Sequence, residues 1–235
     1  MGYFTDHMAR TGGRAILKMA HYLPVYDRLL RPWQGRDASF LEIGVYQGGS
    51  VGMWRGFFGP GARLTFIDID PGCRAHELPG TEIRIGDQED EAFLAGVAAD
   101  RGPFDLIVDD GGHRMSQQIA SFRALWPHLA DGGLYIVEDT HTSYWPGFGG
   151  GYRRPESFIE FAKGLIDRMH SWYTEDEAAF PFDPMAREIG EVRFLDSLVI
   201  VAKERKEPPE SIVARDGKVT RSRRILTLRN RRSGI

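Results

Sequence analysis

Cysteine, long apolar runs and internal repeats are scarce or absent in this sequence of 235 residues. The single cysteine, Cys73, cannot form an internal disulfide or build a cysteine-rich zinc site, which favours a reducing compartment. No stretch approaches the ~18 apolar residues of a membrane span, and no signal-peptide core follows the N-terminal charges. The sequence therefore predicts a cytoplasmic protein with no integral membrane segment.

Charge is distributed unevenly along the chain, whose net charge at pH 7 is −3. Residues 215–235 carry eight basic side chains and one acidic side chain, so residues 1–214 are distinctly acidic. An acidic body argues against a nucleic-acid-binding face on the core domain. The basic tail is expected to be solvated or folded onto the body, with contact to an anionic polymer or membrane as the alternative.

Short apolar runs alternate with amphipathic segments, which is typical of an α/β fold. The predicted strands cover residues 39–43, 63–68, 81–85, 104–109 and 134–138. The predicted helices cover residues 49–58, 90–100, 116–129 and 157–169. Because the strands are short and mostly apolar on both faces, we expect them in the buried middle of a mostly parallel sheet.

The two ends of the predicted domain carry further elements. Residues 15–30 are expected to form a helix kinked at Pro24 that covers one mouth of a site, and residues 192–202 an antiparallel edge strand. The expected organisation is an N-terminal helical lid over 1–35, a main domain over 36–206 and a basic C-terminal extension over 207–235. The sequence leaves open whether copies of the chain form a homo-oligomer.

A glycine-rich turn follows the first predicted strand, in the stretch EIGVYQGGS. Its glycines stand where a chain turns sharply and lets a ligand approach the backbone, just before a helix N-terminus. The spacing differs from the dinucleotide-binding pattern GxGxxG. Packing of a tight strand-to-helix turn is the alternative explanation.

Carboxylates follow the next two predicted strands. Asp68 ends the second strand, where an acid can accept hydrogen bonds from both ribose hydroxyls of a nucleoside. Asp87 and Gln88 follow the third strand, where an Asp can meet the exocyclic amine of adenine. Helix capping is the alternative for the two aspartates.

Four carboxylates, Asp109, Asp110, Glu138 and Asp139, follow the fourth and fifth predicted strands. Neighbouring parallel strands bring these ends together, where the carboxylates repel one another unless a cation neutralises them. Oxygen ligands without cysteine favour Mg²⁺ or Mn²⁺. Zinc bound through two nearby histidines is the alternative.

Residues 40–138 resemble the class I S-adenosylmethionine-dependent methyltransferases, which have a Rossmann-like fold. The resemblance implies that the end of the first strand and its turn hold the methionine part of the donor. It also implies ribose binding by Asp68 and adenine binding by Asp87 with Gln88. The full expected cofactor-binding set is Glu42, Gly44, Tyr46, Gly48, Ser50, Asp68, Asp87, Gln88 and Asp109.

The motif DDGGH followed by EDTHTSYWPGFGGG resembles the metal-dependent sugar O-methyltransferases that act on macrolide sugars and bacterial glycans. These enzymes carry a large N-terminal domain, whereas this chain has a short stretch before Phe40. The resemblance implies Asp110, Glu138 and Asp139 as metal ligands. It implies His113 as the general base, and capping of the following helix is the alternative for His113. We take His141 as the reserve base.

Residues 142–152 form a loop rich in aromatic residues and glycines. Aromatic rings stack on the apolar faces of sugars, and glycines let a loop move as a lid, although a packed aromatic cluster is the alternative. The predicted substrate contacts are Tyr144, Trp145, Arg153 and Arg154.

The predicted function is methyl transfer from S-adenosylmethionine to a sugar hydroxyl of a glycoside, an oligosaccharide or a polysaccharide precursor, assisted by Mg²⁺ or Mn²⁺. A catechol or another natural-product hydroxyl is the alternative acceptor. A nicotinamide oxidoreductase would need the missing GxGxxG loop. A non-catalytic nucleoside-binding module would leave the acidic cluster without a purpose.

Overall fold

A seven-stranded sheet forms the centre of the protein, in a computed structural model that describes residues 2–10 and 12–222. Its strands are β1 (Ser39–Ile43), β2 (Arg63–Asp68), β3 (Thr81–Ile85), β4 (Phe104–Asp109), β5 (Leu129–Val137), β6 (Ile189–Leu195) and β7 (Leu198–Lys203). Their order is β3-β2-β1-β4-β5-β7-β6, parallel from β3 to β5 and antiparallel for β7 and β6. This arrangement confirms the predicted Rossmann-like sheet.

Helices cover both faces of the sheet. They are α1 (Tyr3–Arg10), α2 (Tyr22–Leu29), α3 (Gly49–Phe57), α4 (Glu91–Arg101), α5 (Met115–Leu125) and α6 (Phe158–His170). The first three pack on one face and the last three on the other. Successive side chains of a strand point to opposite faces, so Phe40 packs with Trp54 of α3, whereas Leu41 joins the core under α4 to α6.

The N-terminal segment differs from the predicted kinked helix over residues 15–30. Only α2 is helical there, and residues 12–21 are irregular. Pro24 lies in the first turn of α2, where its missing N–H breaks no intrahelical hydrogen bond, so no kink forms. Helix α1 is not predicted by the sequence pattern, and its Phe4 is fully buried against Trp54.

Two predicted elements have different bounds. Residues 192–202 are not one strand but parts of β6 and β7, joined by a turn in which Ser197 has a φ of 60°. The predicted helix over 116–129 ends at Leu125, and a 3-10 turn containing Pro127 leads directly into β5. The antiparallel edge therefore has two strands, and β5 begins five residues before its predicted start.

The C-terminal extension contains a separate two-stranded hairpin of β8 (Ser211–Arg215) and β9 (Lys218–Ser222). Asp216 and Gly217 turn the chain with positive φ values of 49° and 72°, as a tight hairpin turn requires. The remaining basic residues of the predicted tail lie outside the described residues. Within residues 2–10 and 12–222, none of the helices has the length and apolarity needed to cross a membrane.

Candidate active site

The glycine turn after β1 brings the backbone against the end of β4. Gly44 has a φ of +99°, and a Cβ atom there would lie 2.1 Å from the carbonyl oxygen of Asp110. Gly48 has a φ of +78° and precedes α3. At both positions the space for a Cβ atom is filled by the protein itself, by Asp110 and by His76, so tight packing of the turn explains these glycines. The predicted approach of a ligand to this backbone stays a prediction.

A cavity of about 350 Å³ lies beyond β1, β2, β3 and β4. Its lining includes Gly44, Tyr46, Asp68, Asp87 and Gln88 among the predicted cofactor-binding residues. The structure thus brings together the residues predicted for the donor's ribose and adenine. We call this space the donor cavity.

Backbone amides hold the carboxylates of the donor cavity in place. Asp68 Oδ2 accepts hydrogen bonds from the amides of Val45 and Tyr46, at 2.8 and 3.2 Å, and Oδ1 accepts from Asp70 at 2.9 Å. Asp87 Oδ1 accepts from the amide of Glu89 at 2.8 Å. These bonds fix the carboxylates. Asp68 Oδ2 already accepts two hydrogen bonds, whereas Asp68 Oδ1 and Asp87 Oδ1 each accept one from a backbone amide and keep a lone pair for a ligand.

Asp109 and Glu42 lie in the buried layer beside the cavity and do not line it. Asp109 accepts hydrogen bonds from Ser121 and from Gln88 Nε2, and thereby orients Gln88. Glu42 accepts from Ser50 Oγ at 2.7 Å and from Trp54 Nε1 at 3.0 Å. Burial raises the pKa of both carboxyl groups, and the hydrogen bonds oppose that shift.

A second cavity, of about 340 Å³, opens beyond β4 and β5 and shares Gly44, Tyr46 and Asp110 with the donor cavity. We call it the acidic cavity. Its lining contains the predicted metal ligands and both predicted bases: Asp110, Glu138, Asp139, His113 and His141. The cofactor-binding Ser50 also lines it, whereas Gly48 lines neither cavity.

Asp110, His113 and Asp139 form a group in which one ligand atom of each lies within 4.8 Å of the others. His113 Nε2 is 3.8 Å from Asp110 Oδ1 and 3.5 Å from Asp139 Oδ2. Both His113 and Asp139 have left-handed backbones, with φ values of 55° and 54°. Left-handed backbone is unfavourable for residues other than glycine and clusters at functional sites.

Residues 41–140 match the model of a methyltransferase domain family. This stretch is a methyltransferase domain. The match includes the lining of the donor cavity and the residues Asp110, His113, Glu138 and Asp139 of the acidic cavity, and it confirms the methyltransferase domain that the sequence motifs predict.

The chain is similar in sequence to several O-methyltransferases. It is 39% identical over 171 residues to the demethylmacrocin O-methyltransferase of Streptomyces fradiae, covering 68% of this chain and 43% of that protein. It is 35% identical over 190 residues to a rhamnosyl tetracenomycin-C 2'-O-methyltransferase of Streptomyces olivaceus, covering 77% of this chain and 50% of that protein. The chain spans half or less of the length of these relatives.

A solved structure of the MycE methyltransferase from the mycinamycin pathway has the same fold. The TM-score is 0.73 at 32% identity, over 86% of this chain and 53% of that chain. That structure holds Mg, S-adenosylhomocysteine (SAH) and mycinamycin VI. The likeness confirms the methyltransferase fold of the chain.

Lys18, which is not among the site residues predicted from the sequence, also lines the acidic cavity. Its Nζ lies 2.6 Å from Asp110 Oδ2, 2.6 Å from Glu138 Oε1 and 3.5 Å from Glu42 Oε1. Burial alone would lower the pKa of this ammonium group, but the charges of Asp110, Glu138 and Glu42 raise it well above its usual value. Lys18 is therefore a buried cation that faces three acidic side chains.

Asp110 and Glu138 also have strongly shifted proton affinities. Burial raises the pKa of Asp110 to about 7, against the opposing charge of Lys18. Burial and then the charge of Asp110 raise the pKa of Glu138 to about 7. Without a further cation, the site therefore binds protons near neutral pH.

The two predicted bases differ in their surroundings. His113 directs Nε2 at the acidic group, and its buried Nδ1 has no hydrogen-bond partner among the described residues. His141 Nδ1 lies 2.5 Å from Ser197 Oγ, and its ring contacts Trp145 edge-on at 4.6 Å. His113 is thus placed at the carboxylates, whereas His141 lies at the side of the cavity nearer the aromatic loop.

The predicted substrate residues lie outside both cavities. Tyr144 and Trp145 are about half exposed, and Trp145 reaches the acidic cavity through its contact with His141. Arg153 stacks on the ring of Tyr152 at 5.4 Å, and Arg154 pairs with Glu156 on the surface. The structure therefore brings only Trp145 of this set into contact with a residue of the acidic cavity.

Proposed function

We propose that this protein transfers a methyl group from S-adenosylmethionine to a hydroxyl group of a glycoside, with assistance from Mg²⁺ or Mn²⁺. The observation that carries the proposal is that the donor cavity and the acidic cavity share Gly44 and Asp110. A donor with its adenosine part in the first cavity directs its methionine end towards the second. Relatives that act on sugars of natural products support a glycoside as the acceptor.

The donor cavity supplies contacts for each part of the nucleoside. Asp68 is assigned to the ribose hydroxyls, and Asp87 with Gln88 to adenine. Gly44 lines both cavities, and the methionine part is assigned to the space beside it. Tyr46 is 62% exposed and lines both cavities, so it lies where the two cavities meet.

The chemistry of the acidic cavity fits a hard divalent cation. Asp110, Glu138 and Asp139 offer only oxygen ligands, which Mg²⁺ and Mn²⁺ prefer, and cysteine is absent from the lining. When bound, such an ion lowers the pKa of a hydroxyl group at the site, so the acceptor loses its proton more readily. These three carboxylates are assigned as its ligands.

The transfer itself needs a positioned acceptor and a proton acceptor. The acceptor oxygen forms a bond to the methyl carbon, the carbon–sulfur bond breaks, and its electron pair stays on sulfur to give SAH. We assign the hydroxyl proton to His113 Nε2, which faces the acidic group. Trp145, against His141, is assigned to stack on the acceptor sugar.

The proposal is tested by titrating S-adenosylmethionine calorimetrically and by assaying methyl transfer to paired acceptors. Each pair is a glycoside with a vicinal diol and its deoxy or O-methylated counterpart, and catechol serves as a separate acceptor. We expect donor binding, transfer to the diol glycosides, and loss of transfer in the presence of a chelator. No donor binding would contradict the methyltransferase assignment, and transfer to catechol alone would contradict the glycoside assignment.

Mg²⁺ affinity is expected to fall as the pH drops below about 7. The pKa values of Asp110 and Glu138 are both about 7, so protons occupy these carboxylates below that pH and leave when the ion binds. The expected decrease in Mg²⁺ affinity is up to about tenfold per pH unit for each proton that is released when the ion binds. Calorimetry in buffers of different ionisation enthalpy measures that release, and a pH-independent affinity would contradict the assignment of these ligands.

A further inference from the structure

Three hydrogen-bond donors from one N-terminal segment contact the three carboxylates of the acidic cavity. Lys18 Nζ lies 2.6 Å from both Asp110 Oδ2 and Glu138 Oε1. Tyr22 OH lies 2.7 Å from Asp139 Oδ1, and Tyr26 OH lies 2.6 Å from Glu138 Oε1. Each carboxylate therefore has one oxygen held by residues 18–26.

The other oxygen of each carboxylate is uncommitted. Within the described part of the chain, Asp110 Oδ1, Glu138 Oε2 and Asp139 Oδ2 accept no hydrogen bond. Asp110 Oδ1 and Asp139 Oδ2 face only His113 Nε2, at 3.8 and 3.5 Å. All three residues line the acidic cavity, and Asp110 and Asp139 belong with His113 to the group whose ligand atoms lie within 4.8 Å of one another, whereas Glu138 lies outside that group.

We propose that Lys18, Tyr22 and Tyr26 are positioning residues that orient the metal-binding carboxylates through one oxygen and leave the other oxygen for the ion. This inference rests on the proposed metal-assisted function. Ligating carboxylates in metal sites are commonly oriented by hydrogen bonds from outer residues, whose loss typically lowers metal affinity by about 10- to 100-fold. The three donors are fixed in position, since both tyrosines are at most 1% exposed and the Lys18 side chain is 2% exposed.

Each donor has a distinct part in this arrangement. The Lys18 ammonium bridges Asp110 and Glu138. Its positive charge offsets the repulsion between the two carboxylates and so holds them next to each other. Tyr22 OH also accepts a hydrogen bond from the amide of Asp139 at 3.2 Å and lies 3.0 Å from the carbonyl of Ser197. It thereby supports the left-handed backbone of Asp139 as well as its carboxylate.

The test is Mg²⁺ binding by calorimetry to SAH-loaded Tyr22→Phe, Tyr26→Phe and Lys18→Met. We expect affinity to fall about 10- to 100-fold in each variant, with SAH affinity unchanged. Tyr135→Phe is the matched control, because it removes a buried tyrosine hydroxyl that contacts none of the three carboxylates. The electron paramagnetic resonance spectrum of bound Mn²⁺ gives a second readout. We expect this spectrum to change in the variants, because it reports the geometry of the metal ligands. A purely structural role of the three residues would leave the spectrum unchanged.

The outcomes separate this inference from the function on which it rests. If the unaltered protein binds no Mg²⁺, the metal-assisted function fails. If it binds Mg²⁺ and both tyrosine variants bind equally well with unchanged Mn²⁺ spectra, only the positioning proposal fails. Tighter binding in Lys18→Met would overturn the role of Lys18, because the ammonium would then compete with the ion for the carboxylates.

Discussion

Asp110→Asn is expected to abolish measurable Mg²⁺ binding and to lower kcat for methyl transfer by at least about a thousandfold. Asp110 is central to the site because it lines both cavities and lies within 4.8 Å of His113 and Asp139 in the candidate metal group. Asparagine preserves the shape of the side chain but removes its charge. The donor cavity therefore keeps its form, and S-adenosylmethionine affinity should change little.

The matched control is Asp167→Asn, which makes the same change on the exposed surface of α6. It is expected to leave Mg²⁺ affinity and kcat unaltered. Calorimetric titrations with Mg²⁺ and with S-adenosylmethionine, together with the transfer rate, separate an effect on metal binding from an effect on donor binding in each variant. Undiminished transfer in Asp110→Asn and in the presence of a chelator would contradict the metal assignment, while the fold and the donor site would stand.

The sequence predicts the middle of the sheet and the edge at which the site forms. Four strands have the predicted bounds, because short apolar runs such as FLEI and FDLIVD are buried on both faces. Parallel strands end at one edge, so Asp110, Glu138 and Asp139 meet as expected. This part of the site follows from strand order and from which residues come directly after each strand.

The alternation of side chains along a strand explains two departures at the same edge. Asp109 and Asp110 are consecutive, so they point to opposite sides, and Asp109 enters the buried layer beside Ser121 while Asp110 reaches the cavities. Glu42 of β1 likewise points at Trp54 of α3. Sequence position alone groups Asp109 with Asp110, whereas the pleat of the strand separates them.

Lys18 could not be predicted, because it lies in an irregular segment whose path depends on long-range contacts. Its partners Asp110 and Glu138 are distant in the sequence and meet it only in the folded protein. Lys18, Tyr22 and Tyr26 are spaced four residues apart, which fits one face of the helix predicted for residues 15–30. Their neighbours Leu17 and Met19 are exposed, so the hydrophobic pattern of the segment does not single out Lys18 as a buried residue.

His113→Ala is expected to lower kcat by about 10²- to 10⁴-fold, with the affinities for S-adenosylmethionine and Mg²⁺ retained. The physical reason is that His113 Nε2 faces Asp110 Oδ1 and Asp139 Oδ2, in the cavity proposed to hold the acceptor hydroxyl. His141 is fixed by Ser197 and Trp145 beside the cavity, so His141→Ala should raise KM for the acceptor more than it lowers kcat. The measurement is steady-state methyl transfer by both variants, with ion and donor titrations alongside.

Ion affinity decides between the two roles that the position of His113 allows. His113 belongs to the group that could ligate a metal, so a ligand role would show as weaker Mg²⁺ binding in His113→Ala. A base role would leave Mg²⁺ binding intact, and added imidazole would restore part of the lost rate by accepting the hydroxyl proton. Full activity in His113→Ala, with loss of kcat in His141→Ala, would transfer the base assignment to His141. A base, a metal ligand and a structural residue would each change a different measured quantity. The variants His113→Ala and His141→Ala therefore distinguish the three roles.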